Sequence, residues 1–294
     1  MADAQPEFAL SLRGLVKRFR DFTLGPIDLD LKPGVVLGLV GPNGAGKTTT
    51  LNTTVGLLKH DAGSVEIFGK KTNPYDPSWK FDIAYVGDEH YFYEYWSGMQ
   101  NLKALAPFYP TWSWDRANEL AKRFELDLKK RARRLSKGNR AKLALVGALA
   151  HYPKLLLLDE PSSGLDPIVR SEFLDVLWEV NEKGDTAVLY STHILSDIHR
   201  IADELVFLRE GKIILRKAKD DLIDTWRQIS FSTEAAITAI NGVVSLKREG
   251  NNYFAFSSDF QATVEHLNEL KVGNIQVSAM SIDDIAVQIL RGNV

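Results

Sequence analysis

The chain has 294 residues, of which 45% are hydrophobic and 25% are charged, and its formal net charge at pH 7 is −2. These values are typical of a globular protein of about two domains, and they argue against broad electrostatic binding to nucleic acid or anionic lipid. The sequence contains no cysteine, which excludes disulfide bonds, iron–sulfur clusters and thiol catalysis and fits a reducing cytosol.

We expect neither a signal peptide nor a membrane-spanning segment from this sequence. Residues 1–7 are acidic and lack an apolar signal core. The nearest candidate for a span, Leu143–Ala150, is much shorter than the roughly 18 residues that a bilayer requires. If the protein works at a membrane, we therefore expect another chain to hold it there.

Near the N-terminus, Phe8–Leu12 and Phe22–Leu31 alternate apolar and polar residues, which predicts half-buried antiparallel strands. Phe19 lies in a polar setting between them. Such an aromatic residue is either core filler or a ring that stacks on a base, and the sequence leaves both interpretations open.

The next feature is a phosphate-loop motif, G-x-x-x-x-G-K-[ST], at Gly41–Thr48. The apolar run Val35–Val40 before it predicts a buried strand, and the residues after it predict a helix start, as the motif requires. Three glycines let backbone N–H groups curve around an anion at the helix N-terminus, while Lys47 suits the β- and γ-phosphates and Thr48 suits Mg²⁺. The residues assigned to nucleotide binding here are Gly41, Asn43, Gly44, Ala45, Gly46, Lys47, Thr48 and Thr49.

A helical insert is predicted over about residues 88–150. After the buried strand Ile83–Gly87 comes the dense aromatic run His90–Trp96, and helical spacing of apolar residues follows in two stretches. Ser136 is a candidate N-cap for a third helix. That helix start could be an ordinary cap or could offer its free N–H groups to an anion.

Two acids end the continuous apolar strand Leu155–Glu160. Parallel strands present ligand groups at this end, so we expect Asp159 to hold Mg²⁺ directly or through water. Glu160 points to the opposite side and is placed near an attacking water. His193 follows the buried strand Thr186–Tyr190 and lies on the same ligand-bearing edge.

From about residue 221 the pattern changes to strand, helix, strand, strand, helix, strand, which is the ferredoxin-like order. Its first helix is predicted at Ala235–Ile240, and a last helix, Ile282–Leu290, presents one apolar face. We therefore divide the chain into residues 1–216 and a small α+β accessory domain at 217–294, with a regulatory or interaction role.

Five motifs now stand in order: the phosphate loop, Leu135–Asn139, Leu155–Glu160, Ser163–Asp166 and His193. With them the chain resembles the ATP-binding subunit of ABC transporters over about residues 8–216. It looks most similar to exporter ATPases of the bacitracin-resistance and acetoin-utilisation kind. The resemblance implies an α/β P-loop ATPase core with an antiparallel β subdomain and a helical subdomain, and ATP and Mg²⁺ as ligands.

The resemblance implies a role for each matching residue. Phe19 would stack on adenine, and His193 would contact the γ-phosphate. Lys47 would bind phosphates, Asp159 the metal, and Glu160 would polarise the attacking water, so that Lys47, Glu160 and His193 form the catalytic set.

Two such domains pack head to tail in the family, and this implies a second group of residues. Ser136 and Gly138 would cap the nucleotide held by the opposite subunit, with Asn139 at the same joint. Asp166 would link the two sites across the interface. A homodimer is expected, although a heterodimer with a sister subunit stays open.

Two positions depart from the family pattern. Asp88 stands where the family generally has glutamine, and its carboxylate could still bind Mg²⁺. The signature reads Ser-Lys-Gly-Asn in place of Ser-Gly-Gly-Gln, so that Lys137 adds charge and Asn139 shortens a side chain at the joint.

The implied partners are a second ATPase subunit and a separately encoded transmembrane permease, which would hold the protein on the cytoplasmic face of the membrane. A soluble ABC-type ATPase acting on nucleic acid or ribosomes is the alternative. It is disfavoured because neither a second cassette nor a long coiled-coil insert, which such relatives typically carry, fits between Thr49 and Ser136 or after residue 216. The charge balance also argues against it, and no nucleic acid is expected. A non-hydrolysing regulatory subunit is disfavoured by Glu160 and His193.

Overall fold

The computed structural model describes residues 6–182 and 186–292. The strands are β1 Leu10–Arg18, β2 Thr23–Leu31, β3 Val36–Val40, β4 Ala62–Ile67, β5 Lys70–Lys71, β6 Ile83–Val86, β7 Leu155–Asp159, β8 Ala187–Thr192, β9 Glu204–Arg209, β10 Lys212–Ala218, β11 Arg227–Ser232, β12 Val243–Glu249, β13 Asn252–Ser257 and β14 Gly273–Ala279. The α-helices are α1 Lys47–Thr54, α2 Gly98–Leu105, α3 Trp114–Arg123, α4 Lys137–Leu149, α5 Pro167–Glu182, α6 Leu195–Ile201, α7 Lys219–Thr225, α8 Phe260–Glu269 and α9 Ile282–Arg291.

A six-stranded sheet lies at the centre, in the order β10-β9-β3-β8-β7-β6. All its neighbouring pairs are parallel except β10 with β9 at one edge. Every residue of β3 and β7 is buried, because both faces of this sheet are covered. Because β3, β8 and β7 are parallel neighbours, their carboxyl ends meet at one edge of the sheet. The phosphate loop, His193 and Glu160 follow these strand ends.

A second sheet, antiparallel and ordered β2-β1-β4-β5, shares a hydrophobic core with one face of the central sheet. Along β7, Leu155 and Leu157 belong to this core, whereas Leu156 and Leu158 belong to the core formed with the helices. The alternation follows from the two-residue period of a strand. The predicted α/β class with an antiparallel β subdomain is confirmed.

Helices α2, α3 and α4 occupy the segment where a helical subdomain was predicted, and α4 contacts both α2 and α3. Each begins at a serine that accepts a hydrogen bond from a backbone N–H of its own first turn: Ser97, Ser113 and Ser136. The prediction that Ser136 is an N-cap is therefore confirmed.

The C-terminal sheet has the order β12-β13-β11-β14. The predicted helix at Ala235–Ile240 is wrong, because the chain crosses these residues without helical structure. The Tyr253 hydroxyl accepts a hydrogen bond from Ile237 N at 3.1 Å and donates one to Ala235 O at 3.0 Å. A six-residue helix has little stability of its own, so these tertiary bonds decide the conformation.

Helix α9 packs against α6 and β9, so it shares the main core rather than the core of the C-terminal sheet. Its buried residues include Ile282, Ile285 and Ile289, which confirms the predicted apolar face. The ferredoxin-like assignment and the division at residue 216 stay predictions. Among the residues that the structure describes, no helix combines the length and apolar character needed to span a bilayer.

Candidate active site

The phosphate loop connects β3 to α1. Gly46 is the N-cap residue of α1 with a φ of 109°, and Gly44 has a φ of 79°. Both angles lie in the left-handed region that favours glycine. A Cβ on Gly41 would lie 2.3 Å from Leu208 O, so the backbone of β9 leaves room for no side chain there. The loop thus keeps the shape that directs N–H groups toward an anion.

Lys47 begins α1 and is only 5% exposed. Its Nζ donates hydrogen bonds to Gly41 O at 2.8 Å and to Pro42 O at 3.3 Å, and it lies 3.1 Å from Glu160 Oε1. The carbonyls of the loop and a strand-end carboxylate therefore hold one ammonium group at the helix N-terminus. This arrangement suits a polyanion, because its oxygens can accept hydrogen bonds from the same ammonium group.

Asp159 is buried at the end of β7, opposite Ser191 of β8. The Ser191 hydroxyl donates a hydrogen bond to Asp159 Oδ1 at 2.6 Å. Burial raises the pKa of Asp159, while the hydrogen bonds from Ser191 and Thr48 act to lower it. Thr48 and Asp159 are thus brought together, as predicted for two metal ligands.

Glu160 follows β7 in a left-handed conformation, with a φ of 47°. Its N–H donates to Ser191 O at 3.0 Å, and its Oε2 lies 2.8 Å from His193 Nδ1. Its buried Oε1 lies 3.1 Å from Lys47 Nζ, but no donor in the described ranges is aligned for a hydrogen bond to it. An unusual backbone conformation thus presents a carboxylate oxygen that can accept a proton from water.

Asp88 lies beside the same site. Together with Thr48 and Asp159 it lines a cavity of about 670 Å³. Tyr85, also in the lining, has its pKa raised to about 12 by burial and then by the negative charges of Asp159 and Asp88. The Asp88 carboxylate therefore lies at the same cavity as Thr48 and Asp159, the two predicted metal ligands.

Phe19 follows β1 and is 46% exposed, so it is not core filler. Its ring centre lies 6.2 Å from that of Phe22, which in turn lies against Gly46: a Cβ there would be 3.1 Å from the Phe22 ring. An exposed aromatic ring thus stands near the phosphate loop, which suits stacking on a base.

The remaining predicted residues form a separate surface, where α4 and α5 begin. Ser136 Oγ accepts from Asn139 N at 3.2 Å, and a Cβ on Gly138 would lie 3.0 Å from Val169 of α5. Asp166 Oδ1 accepts from the N–H of Ile168 and Val169 at 3.1 and 3.0 Å. Within residues 6–182 and 186–292, no hydrogen bond or ion pair joins Ser136, Asn139 or Asp166 to Lys47.

Two supporting elements were not predicted. Ser191 orients Asp159, and only the pairing of β7 with β8 reveals this. The turn at Gly211 supports the phosphate loop, because Gly211 N donates to Ala45 O at 3.0 Å and accepts, through its carbonyl, from Gly25 N at 2.7 Å. A glycine in the turn between two strands was the only signal available in the sequence.

A phosphate loop, a buried strand-end carboxylate and a carboxylate–histidine pair at one sheet edge define a phosphate-loop nucleoside triphosphatase. The family model described as "ABC transporter" matches residues 24–163. An ABC transporter ATP-binding protein of Bacillus subtilis, YdbJ, is 33% identical over 266 residues, covering 88% of this chain and 84% of its own length. The chain therefore belongs to the family of ABC transporter ATP-binding proteins and is an ATPase.

Two further similarities refine this assignment. The bacitracin transport ATP-binding protein BcrA of Bacillus licheniformis is 32% identical over 190 residues, covering 64% of this chain and 62% of its own length. A dimeric ATP-binding cassette solved in a post-hydrolysis state with ADP and Pi superposes with a TM-score of 0.64 at 26% identity, covering 71% of this chain and 98% of that one. The expected resemblance to bacitracin-type ATPases is confirmed.

Proposed function

We propose that this chain is the ATP-hydrolysing subunit of an ABC exporter, that it dimerises head to tail on Mg·ATP, and that it drives a separately encoded permease. The observation that carries the proposal is the grouping of Lys47, Asp159, Glu160 and His193 at one edge of the central sheet. The similarity to BcrA supports export.

Phosphate binding falls to the loop and to Lys47. The first N–H groups of α1 and the Lys47 ammonium neutralise charge on the β- and γ-phosphates, and Phe19 stacks on the adenine. Lys47 Nζ lies 3.1 Å from Glu160 Oε1. A γ-phosphate that takes over this donor leaves the carboxylate oxygen for water.

Hydrolysis then requires a positioned water. Glu160 Oε1 takes a proton from this water as the water oxygen bonds to the γ-phosphorus. The bond from the γ-phosphorus to the bridging β-phosphate oxygen breaks, ADP leaves with that oxygen, and the proton passes from Glu160 to solvent when phosphate is released. His193 Nδ1 lies 2.8 Å from Glu160 Oε2 and orients that carboxylate, and its ring, 47% exposed, would be open to contact with the γ-phosphate.

The oxygen donors of the site fit Mg²⁺. Thr48 and Asp159 supply a hydroxyl and a carboxylate, and Asp88 lines the same cavity. No group of three or more His, Asp or Glu side chains able to hold a metal occurs in the described part of the chain. Mg²⁺ often binds through one or two carboxylates plus substrate phosphates, so the metal would arrive with ATP and neutralise phosphate charge.

The second surface would complete the site of another copy. Ser136, Gly138 and Asn139 lie in the first turn of α4, whose free N–H groups and dipole attract a γ-phosphate. Asp166 caps α5 beside them and would face the partner's site. Loss of the γ-phosphate would weaken the dimer interface, so that hydrolysis opens the dimer.

The permease would dock on the aromatic segment after Asp88. Tyr91, Tyr93 and Tyr95 are 85%, 62% and 70% exposed. Beside them an apolar groove of about 450 Å³ is lined by residues that include Phe92 and Leu105. Exposed aromatic side chains around an apolar groove are typical of interaction sites. This contact would place the protein on the cytoplasmic face of the membrane.

The test of this function is Glu160→Gln. The variant should bind ATP with unchanged affinity, while kcat for phosphate release falls by about two to four orders of magnitude because the water loses its base. Glu204→Gln, a half-buried position on β9 whose carboxylate pairs with Arg216, is the matched control and should keep wild-type turnover. Full turnover in the Glu160 variant would remove this residue from the mechanism.

A further inference from the structure

Arg140 lies one turn into α4 and makes four hydrogen bonds to other parts of the chain. Its guanidinium donates to both oxygens of Glu94, at 2.7 and 3.0 Å, and to the carbonyls of His90 and Ala132 at 2.9 and 3.3 Å. Its central carbon lies 5.4 Å from the centre of the Phe92 ring. One side chain therefore touches three residues of the segment 90–94.

This segment leads directly from the nucleotide cavity. Asp88 lines the cavity together with Thr48 and Asp159, and His90 follows two residues later. At the other end of the contact, Arg140 N donates to Ser136 O at 2.9 Å in the first turn of α4. Arg140 thus connects the segment that leaves the cavity to the turn that carries Ser136 and Gly138.

The contact differs from an ordinary surface ion pair. The Arg140 side chain is 23% exposed, and half of its bonds go to backbone carbonyls, so it fixes the path of the main chain and not only a carboxylate. Its paired bonds to Glu94 use the planar fork of the guanidinium, which lysine cannot reproduce. By comparison, Arg216 of β10 donates to Glu204 Oε2 on the adjacent strand, a single side-chain partner among the residues that the structure describes.

We propose that Arg140 is a positioning residue that transmits the state of the nucleotide cavity, through the segment 88–94, to the first turn of α4. The inference rests on the proposed head-to-tail dimer, in which that turn contacts the opposite nucleotide. When Asp88 and its neighbours shift on ATP binding, the Glu94–Arg140 pair moves the helix start with them. Without the pair, each subunit still binds ATP, but the first turn of its α4 is not held in the position that contacts the nucleotide of the opposite subunit.

The test is a double-mutant cycle on the ATPase of the full chain. Arg140→Ala and Glu94→Ala should each lower kcat by about 5- to 30-fold, while the affinity for a fluorescent ATP analogue stays within about threefold. Because the two residues act through one contact, Arg140→Ala with Glu94→Ala together should be no worse than Arg140→Ala alone. Arg216→Ala, the matched control, should keep wild-type kcat.

Three outcomes would overturn the inference: wild-type kcat in Arg140→Ala, losses that add in the double variant, or a loss confined to nucleotide affinity. A merely structural role would lower the thermal midpoint and leave kcat of the folded fraction unchanged. Failure of the proposed function looks different, because then the unmodified chain itself would neither hydrolyse ATP nor dimerise.

Discussion

Replacing Ser191 with alanine removes the hydroxyl that donates to Asp159, the proposed metal ligand. The hydroxyl donates to Asp159 Oδ1 at 2.6 Å, both residues are buried, and Thr48 would be left as the other side-chain donor acting on this carboxylate. A hydrogen bond to a charged group contributes about 1.5–3 kcal/mol. We therefore expect the Mg²⁺ concentration for half-maximal ATPase to rise by about ten- to a hundredfold in Ser191→Ala.

The assay is phosphate release at saturating ATP, titrated with Mg²⁺ at two pH values. Because burial already raises the pKa of Asp159, loss of the Ser191 bond should raise it further. A protonated carboxyl does not bind metal, so the deficit should be larger at about pH 6 than at about pH 8. At saturating Mg²⁺, kcat should recover to within about threefold.

Ser257→Ala is the matched control, since it also deletes a fully buried serine hydroxyl, one that bonds Thr263 Oγ1 at 2.8 Å in the C-terminal sheet. It should change stability without moving the Mg²⁺ titration. A Ser191→Ala variant with wild-type Mg²⁺ dependence would refute the reasoning, because Asp159 would then need no orienting partner.

Three further predictions concern other residues. Asp88→Asn should raise the Mg²⁺ requirement by about three- to tenfold in the same titration, and no change would show that this acid does not reach the metal. Phe19→Ala should raise KM for ATP by about fivefold or more and leave kcat unchanged, whereas Phe19→Trp should keep the wild-type KM. Equal KM values in the two variants would exclude stacking. Burial lowers the pKa of His151 to about 4, below the 6.5 of the unfolded chain, so protons favour unfolding. Between pH 7 and pH 5 the free energy of unfolding of the unmodified chain, measured by denaturant titration, should fall by about 2 kcal/mol more than that of His151→Phe. An equal fall in the two proteins would contradict this.

Local signals made much of the site predictable. Consecutive residues carry the signal for the strand, glycine loop and helix around Lys47, and the same holds for the two acids that end β7. Backbone geometry allows few other arrangements for such segments. The N-cap at Ser136 is similarly local. These features needed no knowledge of distant parts of the chain.

What the sequence did not reveal depends on partners far apart in the chain. The bond from Ser191 to Asp159 requires the register of β7 against β8, 32 residues apart, and the Glu94–Arg140 pair joins positions 46 residues apart. The segment Ala235–Ile240 is not a helix, and the Tyr253 hydroxyl bonds two of its backbone groups, the Ile237 N–H and the Ala235 carbonyl. Such tertiary contacts override local propensity.

The mass of the Glu160→Gln chain in solution, measured by light scattering with and without Mg·ATP, tests the head-to-tail dimer most directly. Because this variant should retain ATP, we expect single chains without nucleotide and twice that mass with Mg·ATP. Ser136→Arg in the same background, which places a bulky side chain at the joint, should stay at the mass of one chain. Single chains in the Glu160→Gln sample at every ATP concentration would contradict the account.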